Sequence, residues 1–190
     1  MSGDVHARLR AATASAHGRL ERDLDWEARV ASLDGYRGLL ARLRGFHATY
    51  EPAIGAALDE AAFFEPRRRL AKLDADLTYL GLGPTGALPA PSAPRLAGPD
   101  AALGALYVLE GSTLGGRVIG RRIAALHGFE TDGLAYYRAH GPATGAMWSA
   151  FRARLEAAGD AGALAEAAVA TFAAMRAWLC DEGAGAVRAA

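Results

Sequence analysis

Cysteine is almost missing from this chain. Cys180 is the only one in 190 residues, so neither an internal disulfide nor a cysteine-based zinc site can form. That usage fits a reducing compartment, and the expected location is the cytoplasm. Lysine is equally scarce, with Lys72 alone, so arginine carries nearly all the positive charge. Together with the heavy alanine content this is a background bias, and no arginine is informative by count. An excess of either charge is missing too: 21 basic side chains face 21 acidic ones. A general nucleic-acid binder or a polybasic membrane surface is therefore not expected. No uninterrupted apolar run reaches the ~18 residues that suggest a membrane span. Asp4, Arg8 and Arg10 leave no room for a signal-peptide apolar core. Strand-like alternation and fixed-period repeats are absent as well.

Several chemical signatures are missing. There is no P-loop and no dinucleotide fingerprint. Gly111-Ser-Thr-Leu-Gly places its serine one position early for a nucleophile elbow, and it sits in a helical pattern. Paired Glu-x-x-His motifs are not found, so Asp76 and Glu110 do not read as di-iron ligands.

What the sequence does contain is helical periodicity. With 52% hydrophobic and 22% charged residues, the composition is that of an ordinary globular domain. Val5, Leu9, Ala12, Ala16 and Leu20 predict a helix over about 4–24. Ser32 reads as the N-cap of a second, through Leu39, Leu43 and His47, which Pro52 should kink or divide. Glu65-Pro66 opens a third that Gly81 stops, and five prolines between Gly81 and Pro99 predict a surface loop. Asp100 is expected to cap a glycine-rich helix ending near His127-Gly128. Thr144 should open another through Leu155, and Ala163 to Leu179 forms the last. The expected fold is all-α, one domain of six to eight helices over 1–182, with a flexible tail over 183–190.

The glycine-rich helix is the anomaly. Leu103, Leu106, Tyr107, Leu114 and Val118 recur at helical spacing, yet Gly104, Gly111, Gly115, Gly116 and Gly120 interrupt them. Each interior glycine costs ~1 kcal/mol relative to alanine. Tight packing against another helix would justify them, as would a kink or a close approach to something flat.

Five histidines can be weighed singly. His6 reads as solvated near a helix end. His127 and His140 sit beside glycines at element ends, where capping or surface roles are the default. His47 lies inside a long helix and either packs or lines a pocket. His17 differs, because Glu21 follows one helical turn on and Arg10 precedes on the same stripe. A carboxylate so placed can fix the tautomer of a metal-ligating histidine. Exposed His–Glu pairs are also common on helix surfaces, and spacing alone does not separate the two. If the two helices face each other, His17 and the glycines define a flat slot suited to a planar macrocycle.

At this point the residues resemble a known family, the heme oxygenases, and in particular the bacterial type found alongside bacteriophytochromes. The resemblance is carried by Arg10-Ala-Ala-Thr-Ala-Ser-Ala-His17-Gly-Arg-Leu-Glu21, by Leu106-Tyr-Val-Leu-Glu-Gly-Ser-Thr-Leu-Gly-Gly116, by Gly141-Pro-Ala-Thr-Gly-Ala-Met-Trp148-Ser-Ala-Phe-Arg152, and by Thr171-Phe-Ala-Ala-Met-Arg-Ala-Trp-Leu179. It implies an all-α fold with heme between the first helix and a kinked, glycine-rich distal helix. His17 would be the proximal iron ligand and Glu21 its partner. Gly111, Ser112, Gly115 and Gly116 would form the catalytic distal wall. Arg10 and Arg152 would hold the propionates, and Phe172 and Met175 would line the pocket. Heme would be both substrate and cofactor, cleaved with O2 and electrons to biliverdin, carbon monoxide and ferrous iron. A ferredoxin or flavoprotein reductase would supply electrons, and a bacteriophytochrome could receive the biliverdin.

The chain departs from the animal-type pattern at three positions. Ser112 stands where those members carry a distal aspartate, Val108 at their preceding basic position, and Trp148 at a lysine position before Arg152. A serine hydroxyl can hold water but carries no charge at neutral pH. Beside the oxygenase, two other readings follow from the same residues. One is a non-catalytic heme binder for storage, delivery or sensing. The other is a heme-free helical protein, such as a thiamin-processing or scaffold protein, in which His17 and the glycines only pack.

Overall fold

A computed structural model describes residues 5–83 and 88–180. Asp4, Pro84 and the 183–190 segment lie outside the described residues. Eight α-helices follow one another: α1 (Val5–Leu24), α2 (Trp26–Val30), α3 (Leu33–Leu58), α4 (Ala61–Phe64), α5 (Leu70–Tyr79), α6 (Pro99–His127), α7 (Thr144–Glu156) and α8 (Ala161–Cys180). Short 3-10 turns at Glu65–Arg67 and Gly141–Ala143 precede α5 and α7. Among the described residues there is no strand, so the chain is all-α as its periodicity predicts.

Local chemistry sets most boundaries. Ser32 accepts a hydrogen bond from the Gly35 N–H at 3.0 Å and starts α3. Asp59, left-handed at φ 51°, ends it. Pro52 does not divide α3, which runs on through it to Leu58. The proline sits in the last two turns, and Phe46, Tyr50, Ile54 and Leu58 on either side are buried in one core. That packing outweighs one lost backbone bond. The α5 end uses Gly81 at φ 82°, with the Leu82 N–H reaching the Leu77 carbonyl at 2.8 Å.

α6 begins at Gly98 and Pro99, not at Asp100. The Asp100 carboxylate instead accepts from the Asp160 N–H at 2.7 Å, while Asp160 caps α8 through the Gly162 and Ala163 N–H groups. The starts of α6 and α8 are thereby tied together.

Every residue of α6 from Ala101 to Glu110 is buried. A helix buried all round needs neighbours on every side, and α3, α7 and α8 pack around it. Gly104 is obligatory here: a Cβ would lie 2.1 Å from the Leu164 carbonyl oxygen on α8. Beyond Glu110 the helix emerges and exposes Ser112, Leu114, Gly115, Arg117 and Val118. It stays α-helical from Pro99 to His127, so no break interrupts it where a kink is expected.

α8 packs against both α1 and α6. Its length and composition would suffice to cross a membrane, although Glu166 and Arg176 interrupt it. Leu164, Ala168, Phe172, Met175 and Leu179 face the protein core. Buried side chains from Val5 to Leu179 form one continuous cluster.

Candidate functional site

α1 is anchored from outside. The Glu156 carboxylate of α7 accepts from the N–H groups of Val5 at 3.0 Å and His6 at 3.1 Å. An acceptor at a helix N-terminus satisfies orphan donors and complements the helix dipole. Val5, Leu9, Thr13, Ala16 and Leu20 then face the core. The remaining stripe, His6, Arg10, His17 and Glu21, faces a cavity of about 590 Å³.

The α1 and α6 motifs meet at that cavity, a slot with walls from four helices. α1 contributes its stripe with Thr13, Ala14, Gly18 and Leu20. α6 contributes Tyr107, Val108, Gly111, Ser112 and Leu114, α7 contributes Trp148, and α8 contributes Phe172 and Met175. His17 and Gly111 therefore line one space. The His17 ring stands edge-on to Phe172 with centroids 5.3 Å apart, and its Nδ1 lies 3.5 Å from the Glu21 carboxylate. With side chains 52% and 66% exposed, the pair is open to whatever enters the slot. A Cβ at Gly111 would meet nothing within 4 Å, so at this position bare backbone borders the slot.

The other candidate residues fall elsewhere. Gly115 lies on the Gly111 face one turn on, beyond the slot lining. Gly116 turns the other way, and a Cβ there would lie 3.5 Å from the Tyr137 ring. Arg152 is exposed on α7 and does not line the slot, leaving Arg10 as its only arginine. His6 is not simply solvated: its ring packs edge-on against Trp148 at 5.6 Å and Tyr107 at 6.2 Å. His127 bonds the Val30 carbonyl at 2.8 Å, which requires it to donate, and stacks on Tyr36.

Behind the α6 wall lies a polar layer that sequence reasoning missed. Arg69 is 2% exposed, with its guanidinium 4.5 Å over the Tyr136 ring. Its Nη2 donates to the Leu109 carbonyl at 2.5 Å and to the Ser112 hydroxyl at 2.8 Å. Ser112 in turn donates to the Leu109 carbonyl at 2.7 Å. With its proton committed there, the hydroxyl can offer the slot only a lone pair. Glu51 accepts from the Arg69 and Leu70 N–H groups at 2.7 and 3.0 Å, which starts α5. It also bonds His47 Nδ1 at 2.8 Å, while His47 Nε2 meets the Tyr136 hydroxyl at 3.2 Å. Burial pushes the Glu51 carboxyl up, but His47, the Arg69 N–H and Arg68 together hold it below its usual value. Lys72 bonds the Ala139 carbonyl at the edge of this layer.

His140 is neither a surface residue nor a side-chain cap. Its Nε2 lies 3.5 Å from Glu110, whose other neighbour, Arg67 Nε, is 3.9 Å away. Arg67 Nε, Glu110 Oε2 and His140 Nε2 are all buried without a hydrogen bond. Burial, helped by Arg69, Lys72 and Arg67, pushes the His140 imidazole down to about 4. Burial raises the Glu110 carboxyl despite Arg69 and Arg67.

The sign of the His140 linkage follows directly. Between its unfolded value near 6.5 and its folded value of about 4, the unfolded chain binds more protons. Stability therefore falls as pH drops through that window. His140→Gln should flatten the acid limb of a melting-temperature profile, removing on the order of 2 kcal/mol of pH dependence. An unchanged slope between pH 6.5 and 4 would contradict the burial argument.

In comparison with known proteins, no family model matches the chain and no curated protein matches it.

Proposed function

We propose that this chain is a heme oxygenase, converting heme with O2 and electrons to biliverdin, carbon monoxide and ferrous iron. The observation that carries the reading is one cavity bounded by His17 and by the bare backbone of Gly111. Bound heme would supply both the iron that activates O2 and the ring that is cleaved. The residues present suit a flat, dianionic macrocycle. His17 Nε2 has no hydrogen bond among the described residues and is available as an iron ligand. Glu21 beside Nδ1 fixes the ring's tautomer. Phe172, Met175, Tyr107 and Val108 provide apolar walls, and Arg10 provides a cation for a propionate.

On the opposite wall, Gly111 keeps the helix backbone close while admitting a diatomic molecule. None of Tyr107, Val108, Gly111, Ser112 and Leu114 is a strong acid or base at neutral pH. Such a wall does not force early O–O cleavage, and Ser112 can hold water by accepting a hydrogen bond.

The test is hemin-loaded protein reduced in air by ascorbate or by a ferredoxin system. Loss of the Soret band with release of biliverdin is the expected result. A non-catalytic heme binder is the second reading, favoured by the Ser112 hydroxyl proton being tied to Leu109. Stable binding with no biliverdin after repeated reduction would select it. The proposed setting is cytoplasmic, with a ferredoxin or flavoprotein reductase as donor and a bacteriophytochrome as a candidate acceptor of the product.

A further inference from the structure

A second cavity runs along the emergent half of α6, and it is the larger, about 870 Å³ against about 590 Å³. One wall is α6 from Leu114 to Ala124, and the other is the segment from Glu130 to Pro142. The close approach of these walls depends on Gly120, where a Cβ would lie 2.9 Å from the Tyr137 Cβ. Gly120 therefore seats Tyr137 in the lining of this groove.

The groove is lined by both apolar and cationic side chains. Leu114 and Val118 are 45% and 56% exposed, unusual for large aliphatic side chains. Arg117, Arg121 and Arg138 line it, and among the described residues none of their side chains has an ion pair or hydrogen bond. Glu130 is the only acidic residue in the lining. Unpaired arginines around exposed aliphatic surface match a flat apolar molecule with carboxylates. Guanidinium groups bind carboxylates bidentately and stack on conjugated faces.

Leu114 also lines the His17 slot, so the two cavities share a wall. The slot holds one arginine and the groove holds three. A ring opened in the slot becomes a longer, flexible dicarboxylate, and the adjacent larger space offers its acids more partners. We propose that this groove is a product subsite that binds an open-chain tetrapyrrole dicarboxylate after it leaves the slot. The choice of ligand rests on the heme oxygenase reading; the groove's preference for a conjugated dicarboxylate rests on its own residues.

Equilibrium dialysis of biliverdin against hemin-saturated protein at low salt tests this, because hemin blocks the slot. About one equivalent should be retained. Retention should weaken at least tenfold in R117Q/R121Q/R138Q and in Val118→Glu, with the hemin spectrum unchanged in both. Wild-type protein that retains no biliverdin, or variants that retain it equally, would overturn the subsite. So would variants that slow only electron delivery from an acidic protein donor, since the groove would then be that donor's dock. If hemin does not bind at all, the oxygenase reading fails; the same biliverdin comparison of wild type and variants still decides the groove.

Discussion

His17→Ala should fold, bind hemin without the spectrum of an axial imidazole, and release no measurable biliverdin. Folding is expected to survive because the His17 side chain is half exposed and contributes an edge contact to Phe172 and an exposed pairing with Glu21. Loss of the ligand itself should exceed the ~10–100-fold typical of removing a ligand's hydrogen-bonding partner. Free imidazole, small enough for the space left behind, should restore the ligated spectrum. Glu21→Gln provides the scale: its carboxylate is exposed, so its removal should cost about tenfold or less in turnover. An unshifted ferric spectrum in His17→Ala would reject the ligand assignment outright.

The second large effect separates two glycines on one helix. Gly104→Ala should be severely destabilising, on the order of 3 kcal/mol or more, because its Cβ would stand 2.1 Å from a backbone oxygen of α8. Backbone on both sides leaves little freedom to relax. Gly111→Ala meets open space and should be neutral or gain up to ~1 kcal/mol from helix propensity. Gly111→Leu should also fold, yet its side chain would enter the slot and abolish hemin turnover. Denaturant unfolding of the alanine variants checks the first contrast, and hemin titration of the leucine variant checks the second. Equal stability of Gly104→Ala and Gly111→Ala would show the close α6–α8 crossing to be wrong.

These two glycines also mark what could be read from sequence. Periodicity reveals that α6 is helical and that its glycines need a reason, but not which reason belongs to which. The structure divides them: Gly104 serves helix packing, Gly111 thins the slot wall, and Gly120 admits Tyr137. The α1 stripe was legible because Arg10, His17 and Glu21 recur at helical spacing on one short, regular element. His6, Tyr107 and Trp148 were not, since their place in the slot depends on how α1, α6 and α7 pack. Arg69 was hidden for a different reason: in an arginine-rich chain, nothing local distinguishes a buried guanidinium from the exposed ones. The partners of Arg69 lie on α6 and in the 134–138 segment, far away in sequence. His140 was misread for the same reason, because its burial comes from Glu110 and Arg67 on other elements.

The α1–α8 packing described above also sets the order of events during synthesis. The slot takes His17 from the earliest described helix and Phe172 and Met175 from the latest. A nascent chain therefore holds an incomplete slot, without Phe172 and Met175, until α8 has left the ribosome. These pairings join elements at opposite ends of the described residues, so they are expected late in folding. A ligand that needs every wall can be captured only after α8 has emerged. No truncated translation product should trap the redox-active substrate proposed for this protein.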